Sequence, residues 1–317
     1  MKHYTQLTQE QRYQIYALKQ AEQKSKRIAE IVGVHESTIS RELKRNRGKK
    51  GYRPKQANQK AKERKHGAKK RIGSETWEYV EQKLKKEWSP GQVSGRLKSD
   101  HGIKISHEWI YQYILANKVA GGSLYRHLRC QKKNRRRYGS YERRGSLPNR
   151  KSIDERPVIV DERSRIGDWE SDTIIGKGHK QAIVTIVDRK SRLLLMQKVE
   201  KQTAEKVGEA TITMLSTKKC MTLTSDNGKE FANHELVAEV LKVDYYFAHP
   251  FSAWERGTNE NTNGLIRQYF PKHSAFNTIT HDDVIAVMDK INNRPRKCLG
   301  FKTPNEVYQS YSIALAS

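Results

Sequence analysis

The sequence predicts an α/β domain, a mixed β-sheet flanked by helices, preceded by all-α helix-turn-helix modules. Three observations carry this reading. The 317-residue chain has a net charge of +27, and its halves differ sharply: residues 1–160 hold 40 basic and 15 acidic side chains, residues 161–317 hold 22 and 20. A polyanion partner is therefore expected for the first half and different work for the second. The first 60 residues have the helical spacing and the glycine turn of a helix-turn-helix, and from residue 166 short β-branched runs alternate with helical stretches.

Composition narrows the class. With 35% hydrophobic residues, a mean hydropathy of −0.91 and no run of about 18 apolar residues, no membrane partner is expected. Met1–Thr5 begins no apolar stretch that would read as a secretory signal. Cys130, Cys220 and Cys298 lie far apart without a Cys-x-x-Cys pair. That excludes a disulfide framework and the common cysteine zinc modules, and it suits a reducing cytoplasm.

The first domain is expected over residues 1–60. Thr8-Gln9-Glu10-Gln11 has capping-box form and starts a helix with Ile15 and Leu18 on one face. A second short helix carries Ile28, Ala29 and Ile31 and breaks at Gly33; a third runs from about Glu36 to Arg45 with Ile39 and Leu43 inward. A small residue at the crossing, a glycine at the turn and an apolar residue beyond are the demands of a helix-turn-helix, whose second helix enters the major groove. Its outward face offers Ser37, Thr38, Arg41, Lys44 and Arg45 to base edges and phosphates, and Lys49, Lys50 and Arg53 continue the charge.

A second helical domain is expected over residues 61–128, opening on a basic stretch at 60–72. Trp77, Val80 and Leu84 fall at helical spacing, Trp88-Ser89-Pro90-Gly91 stops one helix and starts another, and Ser106 caps a third with Ile110, Tyr113 and Ile114. A second helix-turn-helix and a connecting or dimerising domain fit equally. Residues 129–164 form a linker whose first part is dense in Lys and Arg, read as a strap along phosphates that is disordered without DNA.

The final domain, residues 165–317, holds the sheet. Strands are expected at Asp168–Gly176, Ala182–Val187, Leu193–Val199, Cys220–Thr224 and Val243–Phe247, with helices at Thr203–Leu215, about Glu235–Leu241 and around Val284–Ile291. Three strands in hairpin sequence followed by alternating helix and strand give a mixed sheet. Asp226 stands at the C-terminal end of a short strand before an Asn-Gly turn, the edge where α/β sheets bind ligands. Asp172 lies inside the first strand, although Asp168, Glu170 and Asp172 share one face by period-2 alternation and geometry alone does not choose among them. Glu260 falls on a helix with Arg267 seven residues on, on the same face. Three carboxylates beside a polyanion repel one another unless divalent cations neutralise them, and oxygen-only ligands suit two Mg²⁺ ions, with Mn²⁺ as substitute.

Trp169-x-x-Asp172, then Thr224-Ser-Asp226-Asn-Gly-Lys-Glu-Phe231, then Gly257-x-x-Glu260 with Arg267 resembles the DDE transposase and retroviral integrase superfamily. Gly167-Asp-Trp-Glu-x-Asp172, Asn259-Glu260-Asn261-x-Asn263-Gly264-Leu-Ile-Arg267, Asn292-Asn-Arg-Pro-Arg296 and Gly300-Phe-Lys-Thr-Pro-Asn305 resemble, more narrowly, the bacterial insertion-sequence transposases of the IS30 family. The resemblance covers nearly the whole chain. It implies an RNase H-like catalytic domain and a Mg²⁺-dependent triad of Asp172, Asp226 and Glu260. It also implies recognition of double-stranded DNA at terminal inverted repeats, with cleavage and strand transfer into target DNA. Cutting and joining two ends implies a homo-oligomer, at least a dimer.

Rival readings attach to single residues. Glu255 is an alternative to Glu260 with a shorter gap and no +7 partner; Asp188 reads as a turn residue; Arg267 reads as a phosphate contact over a helix-surface charge partner. Arg294 and Arg296 serve DNA or structure equally, and His249 approaches DNA or caps its loop. A tyrosine recombinase would need an ordered Arg-His-Arg set with its nucleophile, and none is visible; nor is the N-terminal Ser with clustered Arg of a serine recombinase. A DNA-binding regulator with an inert RNase H-like domain is the alternative of a different class.

Overall fold

The computed structural model describes residues 6–67, 72–129, 148–179, 181–250, 252–272 and 274–316. The chain forms two compact units, Met1–Ser74 and Glu75–Ser317.

The first unit is built on helices α1 (Gln9–Gln20), α2 (Ser25–Val32) and α3 (Glu36–Asn46). The capping box forms: Gln11 N donates to Thr8 Oγ1 at 3.2 Å and Thr8 N to Gln11 Oε1 at 2.9 Å. Gly33, at φ +74°, ends α2 in the left-handed conformation that glycine adopts without a Cβ penalty. Ile15, Ile28 and Ile39 are buried at the helix crossings. Ile31 is instead 51% exposed, because α2 starts at Ser25 and its inner face runs through Ile28, Ala29 and Val32. A short antiparallel ribbon, β1 (Arg47–Gly48) with β2 (Gly51–Tyr52), follows α3, and α4 (Pro54–Gly67) follows it. A buried ion pair locks this unit. Arg12 Nε donates to Glu42 Oε1 at 2.7 Å, Arg12 Nη1 to the Leu7 carbonyl at 2.7 Å, and Tyr52 Oη to Glu42 Oε1 at 3.2 Å.

The second unit opens with α5 (Ser74–Lys85), α6 (Pro90–His101) and α7 (His107–Val119). Pro90 sits in the first turn of α6 behind a Ser89–Gln92 capping box, and Ser106 caps α7. Trp77 stacks on Tyr113 with ring centroids 4.0 Å apart. This group is tied to the C-terminal part of the chain: Arg96 Nη2 donates to Glu306 Oε1 at 2.5 Å, Gln92 Nε2 to the Pro295 carbonyl at 2.9 Å, and Arg294 Nη2 to Glu87 Oε2 at 2.8 Å. The basic strap expected after residue 129 falls largely at 130–147, outside the described residues.

The sheet has six strands in the order β3-β8-β7-β4-β5-β6. They are β3 (Lys151–Ser152), β4 (Asp168–Ile175), β5 (Ala182–Asp188), β6 (Leu194–Val199), β7 (Thr222–Ser225) and β8 (Asp244–Phe247). β4, β5 and β6 pair antiparallel; β7 lies parallel to β4, β8 to β7 and β3 to β8. A hairpin-linked trio followed by parallel strands on the other side of the first strand is the order expected of an RNase H-like sheet. Of the helices, α8 (Val158–Asp161) precedes the trio. Helices α9 (Ala204–Leu215) and α10 (His234–Leu241) cover one face around Trp169, Val184 and Leu223. The other face carries α11 (Gly257–Ile266) and α12 (His281–Asn292) around Ile174, Ile183 and Ile266, and α13 (Pro304–Ala316) ends the chain. β3 went unread in sequence because two residues show no alternation.

Three acids of the trio are fully buried and each has partners. Asp168 takes Arg165 Nε at 2.9 Å and Thr222 Oγ1 at 2.9 Å. Glu170 takes Arg189 Nη1 at 2.9 Å and the Asn259 N–H at 3.0 Å. Asp188 takes the N–H groups of Gly167 and Ser191, closing the β5–β6 turn as expected of a turn residue.

Removing one member of a buried ion pair leaves an uncompensated charge. Arg12→Met should therefore destabilise the first unit, and Glu170→Gln the second, by about 3–5 kcal/mol each. All five tryptophans lie in the second unit. In urea, tryptophan fluorescence should shift only for Glu170→Gln, and amide exchange within α1 and α3 only for Arg12→Met; an unchanged midpoint for either variant contradicts the corresponding role.

Candidate active site

The third acid of β4 differs from its neighbours. Asp172 shares the face of Asp168 and Glu170 but lies nearer the strand end, and its side chain keeps 22% exposure. β4 and β7 run parallel with Glu170 opposite Thr224, so the same register, continued two residues, sets Asp172 beside Asp226. Asp226 follows the last residue of β7, where the chain leaves the sheet and the Gly228 N–H caps its Oδ1 at 2.9 Å. Two carboxylates are thereby forced together.

A guanidinium spans them. Arg256, immediately before α11 and itself buried, donates from Nη2 to Asp226 Oδ2 at 3.2 Å and from Nη1 to the Ser171 carbonyl at 3.1 Å. Its Nη1 lies 3.6 Å from Asp172 Oδ2. Asn263 Nδ2 donates to the same Asp172 oxygen at 2.8 Å, and the Thr173 N–H donates to Asp172 Oδ1 at 2.8 Å. The Asp172 carboxyl is pushed up to about 6, first by burial and then by the Asp226 and Glu230 charges, against the opposing pull of Arg256 and the Thr173 N–H. Glu230 belongs to the same neighbourhood, accepting from Thr173 Oγ1 at 3.0 Å and from Gln202 Nε2 at 2.9 Å.

Glu260 is on the first turn of α11, four residues past Arg256 and so on the same side of the helix, but it is exposed. It enters no hydrogen bond or ion pair among the described residues. Asp172 and Asp226 are thus brought together and Glu260 is not, and no three Asp, Glu, His or Cys side chains of the described residues form a metal-holding group. Glu255, the rival to Glu260, is engaged elsewhere: its carboxylate receives the His249 N–H at 2.8 Å and lies 2.8 Å from His249 Nδ1. His249 also reaches Asp154, so it ties its loop down.

Arg267 differs from its expected phosphate contact. Its guanidinium donates to the carbonyls of Ile175 at 3.2 Å and of Phe270 and Pro271 at 3.4 Å, clasping the end of α11 to β4. Arg294 is buried against Glu87 and Gln268, and Arg296 is bound to the Ile291 carbonyl, which makes both structural ties. Sequence reading missed Arg256, Glu230 and the role of Asn263. For Asn263 a signal lies in the spacing, since Glu260, Asn263 and Arg267 fall on one helix face, whereas nothing local marks Arg256 or Glu230.

In the first unit, Arg41, Lys44 and Arg45 are exposed along α3, with Ser37 and Thr38 half-buried in its first turn. Ser37 Oγ lies 2.9 Å from His35 Nδ1, and its N–H caps on the same ring nitrogen at 3.2 Å. Lys49 and Lys50 are exposed at the tip of the β1–β2 ribbon.

Comparison with known proteins agrees with both units. A helix-turn-helix domain model matches residues 3–46. The chain is 42% identical over 323 residues to the transposase for insertion sequence element IS4351 of Bacteroides fragilis, which covers 98% of this chain and 99% of that protein. It is 35% identical to transposase InsI for insertion sequence element IS30A of Escherichia coli (strain K12), over 96% of this chain and 83% of that one. The catalytic core domain of BIV integrase superposes with a TM-score of 0.39 at 20% identity, over 47% of this chain and 97% of that one. With near-complete coverage at these identities and a helix-turn-helix ahead of the carboxylate-bearing sheet, the chain belongs to the insertion-sequence transposases of the IS30 family.

Proposed function

We propose that this transposase binds the terminal inverted repeats of its own insertion sequence through α3 and cuts and joins DNA at a DDE triad of Asp172, Asp226 and Glu260. The observation that carries the reading is the forced pairing of Asp172 and Asp226 across adjacent parallel strands, beside a helix that presents Glu260. Two like charges held together at an open sheet edge destabilise the fold unless a cation is their purpose.

The donor set suits Mg²⁺ or Mn²⁺. Among the described residues, each of the four Asp172 and Asp226 oxygens accepts a single hydrogen bond, from Thr173, Asn263, Gly228 and Arg256. A carboxylate oxygen has about two acceptor positions, so each keeps one for a hard cation. Asp172, Asp226 and Glu260 would hold two metal ions; bound there, they would polarise the phosphodiester and acidify the attacking water or hydroxyl. Asn263 fixes the Asp172 carboxylate through its amide, and Gly228 fixes Asp226 through its N–H, so both acceptors are oriented before DNA arrives. Arg41, Lys44 and Arg45 provide base and phosphate contacts in the major groove, with Ser37 and Thr38 at the helix start where base edges are read. Work on two DNA ends calls for at least a dimer in the active complex.

Asp226→Asn and Glu260→Gln should each abolish strand breaks at the repeat ends with Mg²⁺ or Mn²⁺ while binding to end DNA changes less than about twofold; lost binding at unchanged folding contradicts the assigned roles. Wild-type binding without breaks under either metal would favour the regulator reading instead. Arg41→Ala should weaken end binding by about 1–3 kcal/mol and relax the sequence preference at one position. In a competition gel-shift, equal weakening on all DNA would reduce Arg41 to a phosphate contact.

A further inference from the structure

Arg256 is unlike the other buried arginines of the second unit. Arg189 and Arg294 each face carboxylates that have no part in the candidate site, Glu170 and Glu87. Arg256 is ion-paired to both members of the site, within 3.2 Å of Asp226 and 3.6 Å of Asp172. An unpartnered buried Nε is common to Arg256, Arg156, Arg294 and Arg296 among the described residues, so what sets Arg256 apart is its two ion pairs. It also stands just before α11, outside the helix's own hydrogen-bonded turns, on a short segment (Ala253–Arg256) whose Trp254 is 74% exposed.

We propose that Arg256 is a resident counter-ion: in the free protein it neutralises the Asp172–Asp226 pair and must yield both carboxylates before a divalent cation can bind them. This rests on the metal-binding reading of those two aspartates given above. A guanidinium carries one positive charge where two carboxylates meet, enough to keep the pair assembled and too little to neutralise it. The free transposase is thereby folded with its acids in register yet holds metal weakly. Arg256 is accordingly a positioning residue for the pair, and its removal should do what loss of a purely structural tie would not, namely strengthen metal binding.

The test measures Mn²⁺ binding to the full chain without DNA, from the electron paramagnetic resonance signal of free Mn²⁺, with thermal midpoints recorded alongside. Arg256→Met should bind Mn²⁺ about tenfold more tightly than wild type, since a competing cation has been removed. Arg256→Lys keeps the charge on a head group that cannot fork between two carboxylates, and should show a smaller gain in the same direction. This second variant keeps the test decisive if the methionine protein does not fold. Asp226→Asn is the control and should bind at least about tenfold more weakly than wild type. Unchanged or weaker binding in the folded Arg256 variants, with Asp226→Asn still impaired, overturns the counter-ion and leaves the metal site standing. Binding to Asp226→Asn equal to wild type overturns the metal site and the counter-ion together.

Discussion

The parallel register between β4 and β7 is the constraint on which the candidate site depends. It places Asp172 and Asp226 on neighbouring strands with their side chains at the same level, and backbone hydrogen bonding holds the two charges closer than their repulsion favours. The surroundings answer that repulsion. Arg256 bridges the pair, and Asn263 and the N–H groups of Thr173 and Gly228 supply directed donors. β4 itself carries a ladder of acids on one face. Asp168 and Glu170 are sealed by Arg165 and Arg189, and the third, toward the strand end, stays partly exposed.

The two apolar layers make this register rigid. Trp169, on the face opposite the acids, anchors β4 in the core beneath α9 and α10, while Ile174 anchors it on the α11 and α12 side. α11 is thus fixed at both ends relative to the strand, by Arg256 at its start and by Arg267 at its finish. Its inward residues read the strand: the Asn259 N–H meets Glu170 and Asn263 meets Asp172. The first unit achieves its own rigidity by a different device, the buried Arg12–Glu42 pair, which leaves the face of α3 carrying Arg41, Lys44 and Arg45 to solvent.

Much of this was legible in the sequence. β4 through β8 lie within a few residues of the runs expected for them, because each is a short apolar or β-branched stretch bounded by turn residues. The capping box at Thr8 and the proline start at Pro90 announced their helices by residue type alone. The pairing of Asp172 with Asp226 followed from motif resemblance, whereas alternation by itself left Asp168, Glu170 and Asp172 equivalent; burial and partners, invisible in one dimension, separate them. Arg256 was unreadable because its meaning comes from two carboxylates 84 and 30 residues away. Arg267 shows the reverse: its +7 spacing was visible, but spacing says nothing of the three carbonyls that occupy its guanidinium.

The central claim is that the Asp172–Asp226 pair is a divalent-cation site at which DNA is cut. Anomalous diffraction from crystals of the full chain grown with Mn²⁺ and duplex DNA carrying a repeat end tests it most directly. The account predicts an anomalous peak ligated by both Asp172 and Asp226, with Glu260 turned inward and Arg256 no longer bridging the pair. Ordered DNA with Arg256 still bridging the aspartates, and no manganese at either carboxylate, would contradict it.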